Sequence, residues 1–133
     1  MNAISSTERK NRVLVIDDGL TMRLFYRSVL EAAGFEVEEA ANGVEGVERA
    51  IAGTFDLLLV DINMPKMNGY EVIAALRRDE ALWRLPLITI SSEDKDQDIT
   101  RAYQAGANFY LVKPVSRDQL SLHVAALLGR RAA

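Results

Sequence analysis

"VLVIDDG", residues 13–19, decides how this chain folds: four apolar residues run without a break into two acids and a glycine. A strand that is apolar at every position, rather than alternately, belongs to a parallel sheet covered on both faces. In open sheets of that kind, ligands bind outside the carboxyl ends of the strands. The same event recurs at residues 57–61, "LLLVD". Two oily strands that each end in acid set the frame for the rest of the chain.

Outward from these stretches, two periods alternate. Strand-like runs at Arg12–Asp17, Glu36–Ala40, Leu57–Asp61, Leu87–Ser91 and Phe109–Lys113 are separated by helix-period segments at 20–33, 43–52, 69–80, 96–105 and 116–128. The first helix carries a stripe of Met22, Phe25, Val29 and Ala33. The fourth carries Ile99, Ala102, Tyr103 and Gly106, and the fifth Leu120, Val124, Leu127 and Leu128. Glycines in "AAGF" (32–35) and "QAGA" (104–107) stand where helices stop, and Asn42 and Ser116 where N-caps belong. Strand–helix alternation implies right-handed crossovers and a parallel sheet with helices on both faces. Five units fit an α/β, flavodoxin-like doubly wound sheet of strand order 2-1-3-4-5, in which strands 1 and 3 flank the ligand crevice. The expected layout is one domain over residues 12–129, with tails at 1–11 and 130–133.

Composition narrows the function classes. With 133 residues, 49% apolar and 26% charged, the chain supports one ordinary globular core. A net charge of −3 argues against nucleic acid as a partner, since phosphate binding wants a basic face. No cysteine excludes disulfides and thiolate zinc, and the single His123 gives no basis for a histidine metal site. The start, "MNAISSTERKN", lacks an apolar signal core, and no run approaches the ~18 apolar residues of a bilayer span. A soluble cytoplasmic protein without a membrane partner is expected.

In the 2-1-3 order, Asp17, Asp18 and Asp61 converge from distant parts of the chain. Singly, each reads as a turn or cap residue. Together, three carboxylates repel unless protons or a cation intervene. An acid cluster without Cys or His suits a hard ion, Mg²⁺, with Mn²⁺ as the alternative. Ser91 ends the fourth strand with a hydroxyl, and Lys113 ends the fifth with a cation. A phosphate-like group fits between Lys113 and the ion. Pro114 keeps Lys113 extended and makes their peptide bond a candidate for cis. In the loop "DINMPKMNG", Asn63 offers a backbone carbonyl to the ion, while Met64 and Met67 read as packing residues.

The fragments "VIDDGLTMR", "LLLVDINMPKMNGYEV", "PLITISS" and "AGANFYLVKP" follow one another over residues 12 to 129. In this order and spacing the chain resembles the receiver domain of two-component response regulators, most of all the single-domain chemotaxis type. The same resemblance backs the strand order. It implies that Asp61 is the phosphoacceptor, taking its phosphoryl group from the phosphohistidine of a histidine kinase or histidine phosphotransfer protein. It further implies that Asp18, Asp61 and the Asn63 carbonyl hold Mg²⁺, with Asp17 acting through water or orienting the shell. Lys113 then contacts the phosphoryl oxygens, Ser91 is the switch hydroxyl, and Tyr110 is the aromatic that turns in from solvent on activation. The output surface for a downstream protein would be the fourth helix, fifth strand and fifth helix, including Lys95, Tyr110 and His123. His123 also reads as a plain solvated helix residue. Ser92 stands where the family often has alanine, beside the phosphoryl entry route, and Asn63 and Glu93 flank the site.

A stand-alone regulator, with no output domain after the fifth helix, is expected, monomeric unless phosphorylation pairs it. Leu20 and Leu24 project away from the Met22/Phe25/Val29 stripe, beside Arg23 and Arg27. Spaced i, i+4 near the acids, they suggest a docking ridge for the phosphodonor. A phosphorelay intermediate that passes the group to another histidine fits the same residues. An Asp-nucleophile phosphohydrolase would want a second acid two residues after Asp61, where Asn63 stands. A flavin mononucleotide binder would want a hydroxyl- and glycine-rich phosphate loop where "DDGLTM" offers two anions.

Overall fold

The computed structural model describes residues 10–129. Residues 1–9 and 130–133, the bulk of the two expected tails, lie outside the described residues. Five strands, β1 (Arg12–Ile16), β2 (Glu36–Ala40), β3 (Leu57–Asp61), β4 (Leu87–Ser91) and β5 (Phe109–Val112), alternate with five helices. These are α1 (Leu20–Ala32), α2 (Gly43–Ala52), α3 (Gly69–Arg77), α4 (Asp96–Ala105) and α5 (Arg117–Leu127). All strands pair in parallel in the order β2-β1-β3-β4-β5. The flavodoxin-like α/β architecture read from the sequence is therefore the one the chain adopts.

Side chains alternate across a strand, so the sheet sorts its residues into two layers. Val13, Val15, Leu57, Leu59, Ile88, Ile90 and Leu111 pack under α1 and α5, through Tyr26, Val29, Leu30, Leu120 and Val124. Leu14, Ile16, Leu58, Val60 and Leu87 pack under α2, α3 and α4, through Ala50, Ile73, Leu76 and Ala102. Burying a side chain such as Leu59 or Ile88 stabilises the fold by about 1.5–3 kcal/mol relative to exposure. β2 lies at the edge and reads Glu-Val-Glu-Glu-Ala, with only Val37 and Ala40 buried, because an edge strand has one flank in water.

Helix ends follow local chemistry. Asn42 and Ser116 cap as expected, accepting from the amides of Glu45 and Gln119, and Asn68 with Glu71 forms a reciprocal capping box. Gly34 and Gly106 both adopt positive φ, which lets the chain leave α1 and α4 sharply.

Several expectations need correction. The third helix ends at Arg77, not at 80: Asp79 Oδ1 accepts from the Ala81 amide at 2.8 Å and starts a turn that competes with the helix. In α1 the fully buried residues are Tyr26, Val29 and Leu30; Met22 and Phe25 are only partly covered, and Ala33 is an exposed C-cap. In α4 only Ala102 is buried, and Tyr103 is exposed. His123 is partly exposed, as a solvated helix residue would be, but one face of its ring is covered by Phe109 at 4.3 Å.

Candidate functional site

The two acid-terminated strands are neighbours, with Ile16 opposite Val60 across the β1–β3 ladder. Asp17 continues β1 by donating its amide to the Ala40 carbonyl, and Lys113 continues β5 by donating to the Ser91 carbonyl. Strand parity therefore puts Asp17, Asp61 and Lys113 above the α1/α5 layer. Ser91, in phase with Leu87 and Thr89, belongs to the opposite layer. The acid cluster and the Ser91 hydroxyl thus straddle the top edge of the sheet.

Asp17, Asp18 and Asp61 each bring one carboxylate oxygen to within 4.8 Å of the others. Asp17 and Asp61 are buried, whereas Asp18 is exposed. Lys113 Nζ lies 3.3 Å from Asp61 Oδ1, and the Asn63 amide donates to the same oxygen, also at 3.3 Å. Burial, and then the charge of Asp17, push the Asp61 carboxyl up to about 6; Lys113 and the Asn63 amide only partly counter this. Asp17 is also shifted upward, mainly by burial, although its Oδ1 accepts from the Gly19 amide at 2.8 Å.

This electrostatic debt is the observation that tests a metal. Asp17 Oδ2 is buried with no hydrogen-bond partner. Buried carboxylates crowded together with one oxygen unpartnered are costly as they stand. The donors are all oxygens, which is the set that Mg²⁺ takes. The cluster is capable of holding such an ion.

Ser91 is fully buried; its Oγ donates to Asn63 Oδ1 at 3.0 Å and accepts from the Glu93 amide at 3.1 Å. Tyr110 departs from the expected surface position. Its ring is buried, and its hydroxyl donates to the Glu93 carbonyl at 2.8 Å, so the aromatic is already turned inward. Lys95 is exposed at the N-cap of α4. Leu20 and Leu24 are exposed on α1 as the stripe predicted, at 60% and 52%. Ser92 and Glu93 are exposed beside the site, Met64 is buried, and Met67 packs against the core. Lys113–Pro114 is cis.

Some contributors escaped the sequence. Arg23 and Arg27 do not flank the leucines as free cations: both pair with Glu39 on β2, and Arg23 Nη1 donates to the Asp17 carbonyl at 2.8 Å. The charged run in β2 was the available signal, because an edge strand needs partners for its acids. Tyr70 is another. Its hydroxyl donates to the Asp98 carbonyl, and the Arg101 guanidinium lies 3.9 Å above its ring, tying α3 to α4. No sequence spacing links positions 70 and 101.

Residues 13–125 match the model of the response regulator receiver domain family. The chain is 36% identical to the chemotaxis protein CheY of Pseudomonas aeruginosa, over 90% of this chain and 97% of that one. It is 34% identical to the DNA-binding dual master transcriptional regulator RpaA of a Synechocystis species, over 90% of this chain but only 49% of that longer protein. Among solved structures, chemotaxis protein CheY4 of Vibrio cholerae superposes with a TM-score of 0.86 at 30% identity, covering 90% of this chain and 99% of that one.

Proposed function

The chain belongs to the response regulator receiver domain family, and from that premise we propose that it accepts a phosphoryl group on Asp61 and answers by changing the surface it offers to a protein partner. The donor is the phosphohistidine of a histidine kinase or histidine phosphotransfer protein. Carrying this proposal is one observation: three carboxylates from two strands meet within 4.8 Å, with Lys113 Nζ 3.3 Å from Asp61 Oδ1.

Phosphoryl transfer asks a protein mainly for an in-line nucleophile and for positive charge around the equatorial oxygens. An Asp61 oxygen forms the new bond to phosphorus while the phosphorus–nitrogen bond of the donor breaks, and the nitrogen keeps that electron pair. Lys113 serves as the fixed cation for the phosphoryl oxygens and favours the ionised, nucleophilic form of Asp61. Asp18, Asp61 and the Asn63 carbonyl would hold Mg²⁺, with Asp17 orienting the shell; bound there, the ion supplies the remaining charge neutralisation.

The new phosphoryl oxygens are strong acceptors. Ser91 Oγ, which now donates to Asn63 Oδ1, can exchange that acceptor for one of them. Through Glu93, which bonds both Ser91 and Tyr110, that exchange reaches α4 and β5, where exposed Lys95 meets a downstream target and buried Tyr110 supports that surface from beneath. We assign Leu20 and Leu24 to the phosphodonor's docking face and place the protein in the cytoplasm; no helix among the described residues is long and apolar enough to cross a membrane.

Incubation with acetyl phosphate and Mg²⁺, read by intact mass, tests the assignment. Wild type should gain one phosphoryl group and Asp61→Asn none. A gain in both, or in neither, would refute it.

A further inference from the structure

Beneath the acids lies a polar atom that the proposed chemistry does not use. Tyr26, in the second turn of α1, is 1% exposed, and its hydroxyl has no hydrogen-bond partner. The only other such buried side-chain atom among the described residues is Asp17 Oδ2. Two orphans of complementary chemistry, a donor and an acceptor, therefore occur in one region of the molecule.

Geometry brings them toward each other. Tyr26 packs in the layer of Val13, Val15, Leu57 and Leu59, and parity carries Asp17 and Asp61 on that same face, two residues further along each strand. Helix side chains lean back toward the helix N-terminus, and α1 begins at Leu20, three residues after Asp17. The ring thus rises toward the carboxylates. Burial first, and then the charges of Asp17 and Asp61, push the phenol above its ordinary range, so it remains a protonated donor. A phenylalanine would fill the same space without burying a hydroxyl, which makes the hydroxyl the feature to be explained.

We propose that Tyr26 is a positioning residue of the acid site, its hydroxyl donating toward the Asp17 carboxylate through one bound water and holding it in the orientation that metal binding requires. The role rests on Asp17, Asp18 and Asp61 forming a Mg²⁺ site. Partners of this second rank fix metal-shell groups in place, and their loss lowers affinity.

Mg²⁺ titration calorimetry and thermal melts with and without Mg²⁺ test this on wild type, Tyr26→Phe, Asp17→Asn and the double variant. Tyr26→Phe should weaken Mg²⁺ binding about tenfold and shrink the Mg²⁺-induced rise in Tm. In the Asp17→Asn background the same substitution should change Mg²⁺ affinity little, because its effect runs through Asp17. Unchanged affinity in Tyr26→Phe, or an equal loss in both backgrounds, overturns the proposal while leaving the metal site intact. Absence of any Mg²⁺ response in wild type overturns the metal site, and this role with it.

Discussion

Ser91 Oγ donates to Asn63 Oδ1 at 3.0 Å, so the candidate switch hydroxyl is already engaged by the residue two places after Asp61. Its second contact, from the Glu93 amide, leads on to the Tyr110 hydroxyl through the Glu93 carbonyl. Asn63, Ser91, Glu93 and Tyr110 form one hydrogen-bonded chain. A phosphoryl group on Asp61 must outcompete its first link. Asn63→Ala removes that competitor while keeping the Asn63 backbone carbonyl. With the bond worth about 1 kcal/mol, beryllofluoride, a phosphoryl mimic, should bind roughly fivefold more tightly in the presence of Mg²⁺. Titration followed through the Ser91 amide resonance measures it; equal or weaker binding would show that Asn63 does not compete.

Acid pH should stabilise the metal-free protein over a defined window. Asp61 is raised from 3.8 to about 6, chiefly by burial and by Asp17. A raised carboxyl takes up a proton in the folded state before the unfolded chain does, so its contribution is largest below about 3.8 and is lost as pH rises through about 6. Without Mg²⁺, Tm should therefore climb as pH falls from 7 toward 5, and Asp61→Asn should flatten that slope. Mg²⁺ needs the ionised carboxylates, so its affinity should fall over the same interval. A Tm that drops on acidification by the same amount in both proteins would contradict the buried-acid account.

Leu24 is half exposed, one turn beyond Leu20 on the helix that opens at the acid site. If the pair seats a phosphodonor, Leu24→Asp should slow transfer from the cognate donor at least tenfold and leave acetyl phosphate labelling within twofold of wild type, because about 1.4 kcal/mol of lost contact is a factor of ten. Parallel radiolabelling time courses with both donors separate the two steps. Equal slowing would place the defect in the site instead.

Arg77 clasps the end of α3 to the far side of the sheet. Its guanidinium donates to the carbonyls of Leu82, Trp83, Leu85 and Gly106 and to Asn108 Oδ1. Lysine keeps the charge but not the planar fork. Arg77→Lys should cost about 2–3 kcal/mol in urea unfolding, since several charge-assisted bonds lose their geometry together. A loss under 0.5 kcal/mol would mean that the clasp is ornamental.

Much of the site was legible before any coordinates. "VLVIDDG" and "LLLVD" read as doubly covered strands, and the resemblance to the receiver family backs the order in which to lay them. Once β1 and β3 are adjacent, Asp17, Asp18 and Asp61 must meet. Tyr26 was legible in principle by the same parity, but a tyrosine on an apolar helix face looks like core, and nothing in its neighbours announces an unpartnered hydroxyl. The inward Tyr110, the Ser91–Asn63 bond, the Arg23–Glu39 pair and the Arg77 clasp were not legible at all.

Hydrophobic period, the glycine stops and the acids at two strand ends determined the fold and the neighbourhood of the chemistry, because these are local signals that backbone geometry converts directly into position. Which hydroxyl faces which acceptor, which arginine answers which glutamate, and how far burial lifts the Asp61 carboxyl were decided only in the folded molecule. Those outcomes depend on competition among groups 16 to 52 residues apart, and such a contest has no winner until packing brings the competitors within 3.5 Å of one another.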